Sequence, residues 1–322
     1  MVTLIHNPLQ KYGNQLLEVL KSAKTSKNPA LYLYTNNART PVFMAESITR
    51  ILISLSKNPV YESWHKTFKK LEDVLGEIDH YDASIKQFSK NKLIKKTQID
   101  YLIKKRDKAI LKLNEKLIKK DFYTSLINEV LEDYQQELNF NNKQLISELK
   151  NHINKQLQNA FEFFNQFPDS FNNMELQVHE LRRKLRWVSI YAQSLQGIIV
   201  LKKTTAKYAW EKQFITPTEK TSPFNKLPIT KSLTNYIYFN SKAFYALSNG
   251  IKTLGVIKDK GLGLSQLAKS IKKTSASTVK DSHDIASKQL NLNVTDKELL
   301  QQAHQLLDLF FTKHKIHQLL VH

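Results

Sequence analysis

Residues 179–187, HELRRKLRW, place one histidine, three arginines and one lysine within nine positions. On a helical wheel the histidine and the arginines fall on one face that spans about 100°, with the lysine at its border and apolar residues opposite. Like charges this close repel one another unless water, carboxylates or a bound anion relieves them, and the guanidinium fork suits phosphate oxygens. The spacing predicts either an anion site or an ordinary solvated helix face. The candidate ligands of the anion site are His179, Arg182, Arg183, Lys184 and Arg186.

The whole chain is strongly basic, with 49 Lys and Arg against 29 Asp and Glu and a formal net charge of +20. Such an excess attracts polyanions, of which nucleic acid and inorganic polyphosphate are examples. Residues 86–120 hold thirteen of the basic residues but three acidic ones, so about half the net charge lies there. We expect a long helix or a helical hairpin with a solvated lysine face. An extension of the basic surface would use Lys92, Lys95, Lys96, Lys104, Lys105 and Arg106.

Apolar residues recur mainly at steps of three and four, which predicts helices. The pattern covers 12–20, 42–55, 68–88, 99–118, 122–138, 145–164, 176–201, 242–257 and 295–320. We therefore predict an all-α fold of two helical bundles with long antiparallel helices, one in residues 1–140 and one in 141–322. A proline-rich loop is expected at 214–240, in which 235–239 either extends or enters a helix. The two glycines of 258–267 predict a turn before a helix.

Several function classes have no support in the sequence. Cysteine is absent, which excludes thiol chemistry and fits a reducing compartment, and no signal peptide or membrane-spanning stretch is recognised, so we expect a cytoplasmic protein without a membrane partner. No catalytic or phosphate-loop motif is present. The acidic group within 72–82 could hold a metal, but an acidic face that balances nearby lysines is the preferred interpretation. We expect no enzyme activity, metal or cofactor.

The basic stretch resembles the hallmark of CHAD domains, the conserved-histidine α-helical domains, which is H-x-x-R followed by K/R-x-L-R-Y. His179 and Arg182 match the first part, while Arg183 and Arg186 match the second, with Trp187 in place of tyrosine. The family usually has three more residues between the two parts.

A second and weaker resemblance lies upstream, where the family carries L-G-x-x-R-D-x-D. The stretch LGEIDHYD (75–82) keeps the leucine, the glycine and the last aspartate, but Asp79 and His80 stand where arginine and aspartate are expected. The upstream histidine motif should fall near 38–50, where Arg39 and Arg50 are the basic residues. The first half would therefore be a degenerate copy.

The resemblance implies two helical bundles related by a pseudo-twofold axis, with a basic groove that binds inorganic polyphosphate. Three functional hypotheses remain open. The first is non-catalytic binding of polyphosphate or another polyanion. The second is nucleic-acid binding through 86–120, with a steep salt dependence. The third is a helical scaffold whose anion site has decayed.

Overall fold

The computed structural model describes residues 7–56, 58–120, 122–134, 142–230, 233–275 and 277–321. In these ranges the regular structure is almost entirely helical, so the predicted all-α class is confirmed. The helices of the first part are α1 (Pro8–Lys24), α2 (Pro29–Thr35), α3 (Arg39–Leu55), α4 (Val60–Phe88), α5 (Lys96–Lys120) and α6 (Phe122–Asp133). Those of the second part are α7 (Lys143–Asn165), α8 (Glu180–Ser194), α9 (Glu211–Phe214), α10 (Pro217–Thr221), α11 (Ser241–Thr274), α12 (Val279–Gln289) and α13 (Asp296–Asp308).

Short irregular helices complete the long ones. A π-helical turn, Met174–His179, leads directly into α8, and a second one, Leu309–Lys313, follows α13. Two 3-10 turns are Pro223–Asn225 and Ile316–Leu319. Among the described residues, no helix is long and apolar enough to cross a bilayer.

Asparagine and threonine begin many of the helices. The side chains of Asn7, Asn28 and Asn240 accept hydrogen bonds from the first backbone N–H groups of α1, α2 and α11. Thr295 and Glu298 form a reciprocal capping box at α13. These caps satisfy donors that have no partner within the helix, which explains why a chain so poor in glycine and proline still has well-defined helix starts.

The predicted helix over 176–201 is wrong at its carboxyl end. α8 ends at Ser194, because Gln196 and Gly197 adopt positive φ angles of 51° and 97°. A side chain at Gly197 would place its Cβ 2.7 Å from the backbone nitrogen of Thr230, so this turn requires glycine. The chain then extends as β1 (Ile199–Lys202), which pairs in parallel with β2 (Ile237–Asn240). Of the two alternatives for 235–239, the extended one is therefore observed.

The predicted turn at 258–267 is also wrong, since this stretch lies inside the continuous 34-residue α11. Its first glycine has a packing reason instead of a turn role. A Cβ at Gly261 would lie 2.7 Å from Cε of Met174, so the glycine lets the π-helical turn approach α11 closely. For 86–120, the long helix is the alternative observed over most of the segment, since α4 ends at Phe88 and the 25-residue α5 occupies Lys96–Lys120. The predicted loop 214–240 contains α10, a 3-10 turn and β2.

One large hydrophobic core joins helices from both parts of the sequence, from Leu9 on α1 to Leu320 near the carboxyl terminus. A smaller core lies between α4, α5, α11 and α12 and includes Phe88, Leu102 and Leu267. The predicted boundary between two halves at 140/141 lies outside the described residues. α4 and α11 are far apart in sequence, but the two cores bring them near each other. The two helices line opposite sides of one cavity.

Candidate functional site

A cleft of about 1210 Å³ lies between α4, α8 and α11. α4 lines it from Gly76 to Gln87, and α11 lines it from Lys258 to Lys272. Arg39 reaches it from the first turn of α3, while His283 and Asp296 line it from α12 and α13. Of the five residues predicted from 179–187, the cleft contains His179, Arg182 and Arg186.

Arg186 is a half-buried cation without an anionic partner within 4.0 Å among the described residues. Its guanidinium lies 4.5 Å from the centroid of the Phe43 ring, and Arg39 lies 5.2 Å from the same centroid. Within the described chain it forms no hydrogen bond and no ion pair. Burial, together with the nearby charges of Arg182 and Arg39, lowers the pKa of Arg186 to about 10, while Glu72 opposes this. The protein thus holds a partly desolvated positive charge against an aromatic ring without neutralising it.

Arg39 is held by two carboxylates of α4, in contrast to Arg186. Its Nη2 donates to Oε1 of Glu72 at 2.8 Å, and its Nη1 donates to Oδ2 of Asp79 at 2.6 Å. Gly76 lies between these two acids, one helical turn from each, and a Cβ there would be 3.0 Å from Nη2 of Arg39. The missing side chain lets the guanidinium lie across the helix.

Arg182 lies across a glycine of α11 in a similar manner. A Cβ at Gly255 would be 3.1 Å from Nε of Arg182, and this Nε donates to the carbonyl oxygen of Ile251 at 3.0 Å. Burial lowers the pKa of Arg182, and Asp259 partly offsets the effect. Since a carbonyl oxygen carries no net charge, Arg182 keeps its positive charge available to the cleft.

Three histidines line the cleft, each beside a polar partner. Nδ1 of His179 is 3.0 Å from Oε1 of Glu175, and this hydrogen bond lowers the pKa of Glu175. Nε2 of His80 is 3.4 Å from Oε1 of Gln266, which joins α4 to α11. His283, described below, adds a third ring from α12.

The carboxylates that line the cleft are all engaged by basic side chains. Asp79 forms an ion pair with Arg39 and Asp259 with Lys258 at 2.5 Å, while Glu175 lies 3.0 Å from Nδ1 of His179 and Asp296 lies 3.7 Å from Nδ1 of His283. Lys269 and Lys272 are exposed, and neither has a carboxylate within 4.0 Å among the described residues. Six arginine and lysine side chains line the cleft against four carboxylates, so its net charge is positive.

A second cavity of about 480 Å³ adjoins the cleft. It shares Arg39, Asp79 and Arg186 with the cleft and adds Tyr34 and Lys86. Arg186 therefore faces two cavities, which keeps an otherwise buried guanidinium accessible to a ligand.

The remaining predicted residues lie outside the lining of the cleft. Arg183 and Lys184 are 3.6 and 3.8 Å from the carboxylate of Glu180, and Lys184 also lies over the ring of Phe163 on α7. Arg106 donates to Asp107 at 2.9 Å. The lysines of the predicted extension are exposed on the turn before α5 and on α5, and they do not converge with α8 on the cleft: Lys92, Lys95, Lys96, Lys104 and Lys105.

Sequence analysis missed the contribution of α11. Lys258, Leu262, Ser265, Lys269 and Lys272 recur at steps of three and four and line the cleft together. A turn at 258–267 would place these residues on different elements, so the predicted turn hid the face that they share on one helix. A helical reading through the glycines would have found it.

Acidic residues of 72–82 form ion pairs with basic side chains. Besides the two acids that hold Arg39, Asp82 pairs with Lys86 at 2.7 Å and with Arg106 at 3.4 Å. Burial opposes ionisation of Asp82, but these hydrogen bonds and one from Tyr34 give it a lowered pKa. Among the described residues, no group of three acidic or histidine side chains is arranged to hold a metal ion.

Comparison of the chain with models of protein families and with curated proteins gives no match.

Proposed function

We propose that this protein binds a phosphate-rich polyanion in the cleft between α4, α8 and α11, and that inorganic polyphosphate is the ligand class that fits best. The observation that carries the proposal is Arg186, which is half-buried against the ring of Phe43 and has no anionic partner among the described residues. Burying an uncompensated charge costs free energy, and a bound anion would recover it. The proposal is one of binding without a chemical step.

The chemistry of the neighbouring groups favours phosphate. Arginine can donate two parallel hydrogen bonds to phosphate oxygens, and the hydrogen bond of Arg182 to Ile251 uses Nε, which leaves its terminal nitrogens for a ligand. The resemblance of 179–187 to CHAD domains supports polyphosphate in particular. A pseudo-twofold relation between the two halves is part of the same proposal, and the arginine-over-glycine contacts of Arg39 and Arg182 support it.

The matched pair Arg186→Met and Arg183→Met tests this proposal, because both residues lie on α8 but only Arg186 lines the cleft. Titration calorimetry with tripolyphosphate should show weaker binding to Arg186→Met by about 10- to 100-fold, the range of a hydrogen bond to a charged group. Arg183→Met should bind nearly as the unaltered protein does. Circular dichroism and urea unfolding would verify that both variants fold.

Two results would contradict the proposal. One is binding that both substitutions reduce equally, which would indicate a general effect of charge. The other is the absence of binding to the unaltered protein, which would favour a scaffold. Duplex DNA that binds with a steep salt dependence and is insensitive to Arg186→Met would instead favour the lysine face of α5 as the functional surface.

A further inference from the structure

We infer that the cleft takes a linear anionic chain laid along α11, with Lys269 and Lys272 as a second contact point far from Arg186. This inference rests on the proposed function and specifies the shape and length of the ligand. Its basis is the distribution of charge along the cleft.

The cleft is long in one direction. Arg182 contacts α11 at Ile251 and Gly255, whereas Lys272 lies seventeen residues beyond that glycine on the same helix. At 1.5 Å per residue, these points are about 26 Å apart along the helix axis. A tripolyphosphate is too short to reach both ends.

Uncompensated positive charge lies at both ends of the cleft. At one end, Arg186 has no anionic partner and Arg182 is bound to a carbonyl oxygen. At the other end, Lys269 and Lys272 have no carboxylate within 4.0 Å among the described residues. The two lysines are three residues apart on α11, so both point to the same side.

The middle of the cleft is polar and carries charges of both signs, from Lys258, Asp259 and Glu175. Lys258 is paired with Asp259, and His80 is close to Gln266. Ser265 and His179 add groups that can donate hydrogen bonds to an anion. A chain with charge on every unit could therefore cross the middle and be attracted at both ends, and joining two contacts in one molecule strengthens binding through effective concentration.

Nucleic acid fits this geometry less well. Single strands usually bind where aromatic side chains stack on the bases, but in the described lining Tyr81 is the one Phe, Tyr or Trp residue. A flexible chain without bases matches the cleft better.

The test compares Lys269→Ala/Lys272→Ala with Lys260→Ala/Lys273→Ala. The second pair is also exposed on α11 and removes the same charge, but it does not line the cleft. Affinities for tripolyphosphate and for long-chain polyphosphate are measured by calorimetry at several salt concentrations. A long chain can bind in many registers, which raises its apparent affinity. Comparing each variant with the unaltered protein for the same ligand removes this effect.

We expect Lys269→Ala/Lys272→Ala to lose affinity for the long chain by about five- to tenfold more than for tripolyphosphate. The slope of log K against log salt for the long chain should fall by about 1.4, since two phosphate contacts are lost. The control pair should show neither effect. Equal losses for both pairs, or equal losses for both ligands, would overturn the inference.

The proposed function has its own separate readout. If Arg186→Met weakens tripolyphosphate binding but the lysine pair makes no selective difference, the anion site stands and the linear ligand is excluded. If Arg186→Met leaves binding of both ligands unchanged, the proposed site itself is wrong.

Discussion

Glu46 on α3 is a buried acid that the fold keeps protonated below about pH 7. Its side chain is 2% exposed, one carboxylate oxygen has no partner, and the other is 4.0 Å from Nδ1 of His65. Burial, together with the charge of Glu72, raises the pKa of Glu46 to about 7, and burial, together with Arg50, lowers the pKa of His65 to about 4. Between these pH values both groups are neutral, so they do not form an ion pair. Arg50, next to them, lies 4.4 Å from the ring centroid of Trp187 on the arginine helix.

Glu46→Gln should therefore change how stability depends on pH. An unfolded chain releases the proton of a glutamate near pH 4.5, whereas the folded protein keeps the proton of Glu46 up to about pH 7. The folded state binds more protons in this window, so the contribution of Glu46 to the free energy of unfolding falls as the pH rises through it. From pH 5 to 8, Glu46→Gln should gain about 2 kcal/mol relative to the unaltered protein.

Urea unfolding at the two pH values measures this gain. Glu62→Gln is the control, because its side chain is 62% exposed on α4. A difference between Glu46→Gln and the unaltered protein that stays constant from pH 5 to 8 would contradict the neutral state of Glu46.

At the scale of elements, two glycines of α11, Gly250 and Gly255, differ in what surrounds them, so substituting each one tests a different property of the protein. A helix-interior glycine costs about 1 kcal/mol relative to alanine. A Cβ at Gly250 would meet nothing within 4 Å, whereas a Cβ at Gly255 would press on Nε and Nη2 of Arg182 at 3.1 and 3.3 Å. Gly255 thus serves to place an arginine, and nothing in the structure explains Gly250.

Gly250→Ala should raise the free energy of unfolding by about 1 kcal/mol and leave tripolyphosphate binding unchanged. Gly255→Ala should gain less stability, because the new methyl group displaces Arg182 from the carbonyl oxygen of Ile251. Its affinity for tripolyphosphate should fall by about tenfold, the value of one hydrogen bond from a charged group. Urea unfolding and calorimetric titration of the two variants give these numbers, and identical behaviour of both would refute the role of Gly255.

For the whole molecule, the continuous core predicts one cooperative unfolding transition. Trp64 on α4 and Trp210 before α9 belong to the same core, as do Leu9 and Leu320 near the two ends of the chain. Breaking either half would expose apolar surface of the other, and such coupling joins the halves into one unit. Differential scanning calorimetry should show a single peak whose calorimetric enthalpy equals the van't Hoff enthalpy. Two separable peaks would support independent domains at 1–140 and 141–322.

The sequence by itself determined the helical class and the basic character of 179–187, because periodicity and local charge spacing are properties of neighbouring residues. The prediction from sequence was wrong at 258–267, because two nearby glycines are typical of a turn. The packing of Met174 on Gly261, which explains the first glycine inside a helix, is visible only in the structure. The sequence also could not rank the basic residues of the motif, which have the same chemistry.

Only the tertiary structure decided which of these charges stay uncompensated. Arg183 and Lys184 form ion pairs with Glu180 on their own helix. Arg186 instead packs on the ring of Phe43, and Arg182 donates a hydrogen bond to a carbonyl oxygen of α11. Whether a charge is paired depends on groups contributed by α3 and α11, which are far away in the chain and near only after folding. The cleft, its two charged ends and the distance between them follow from that packing.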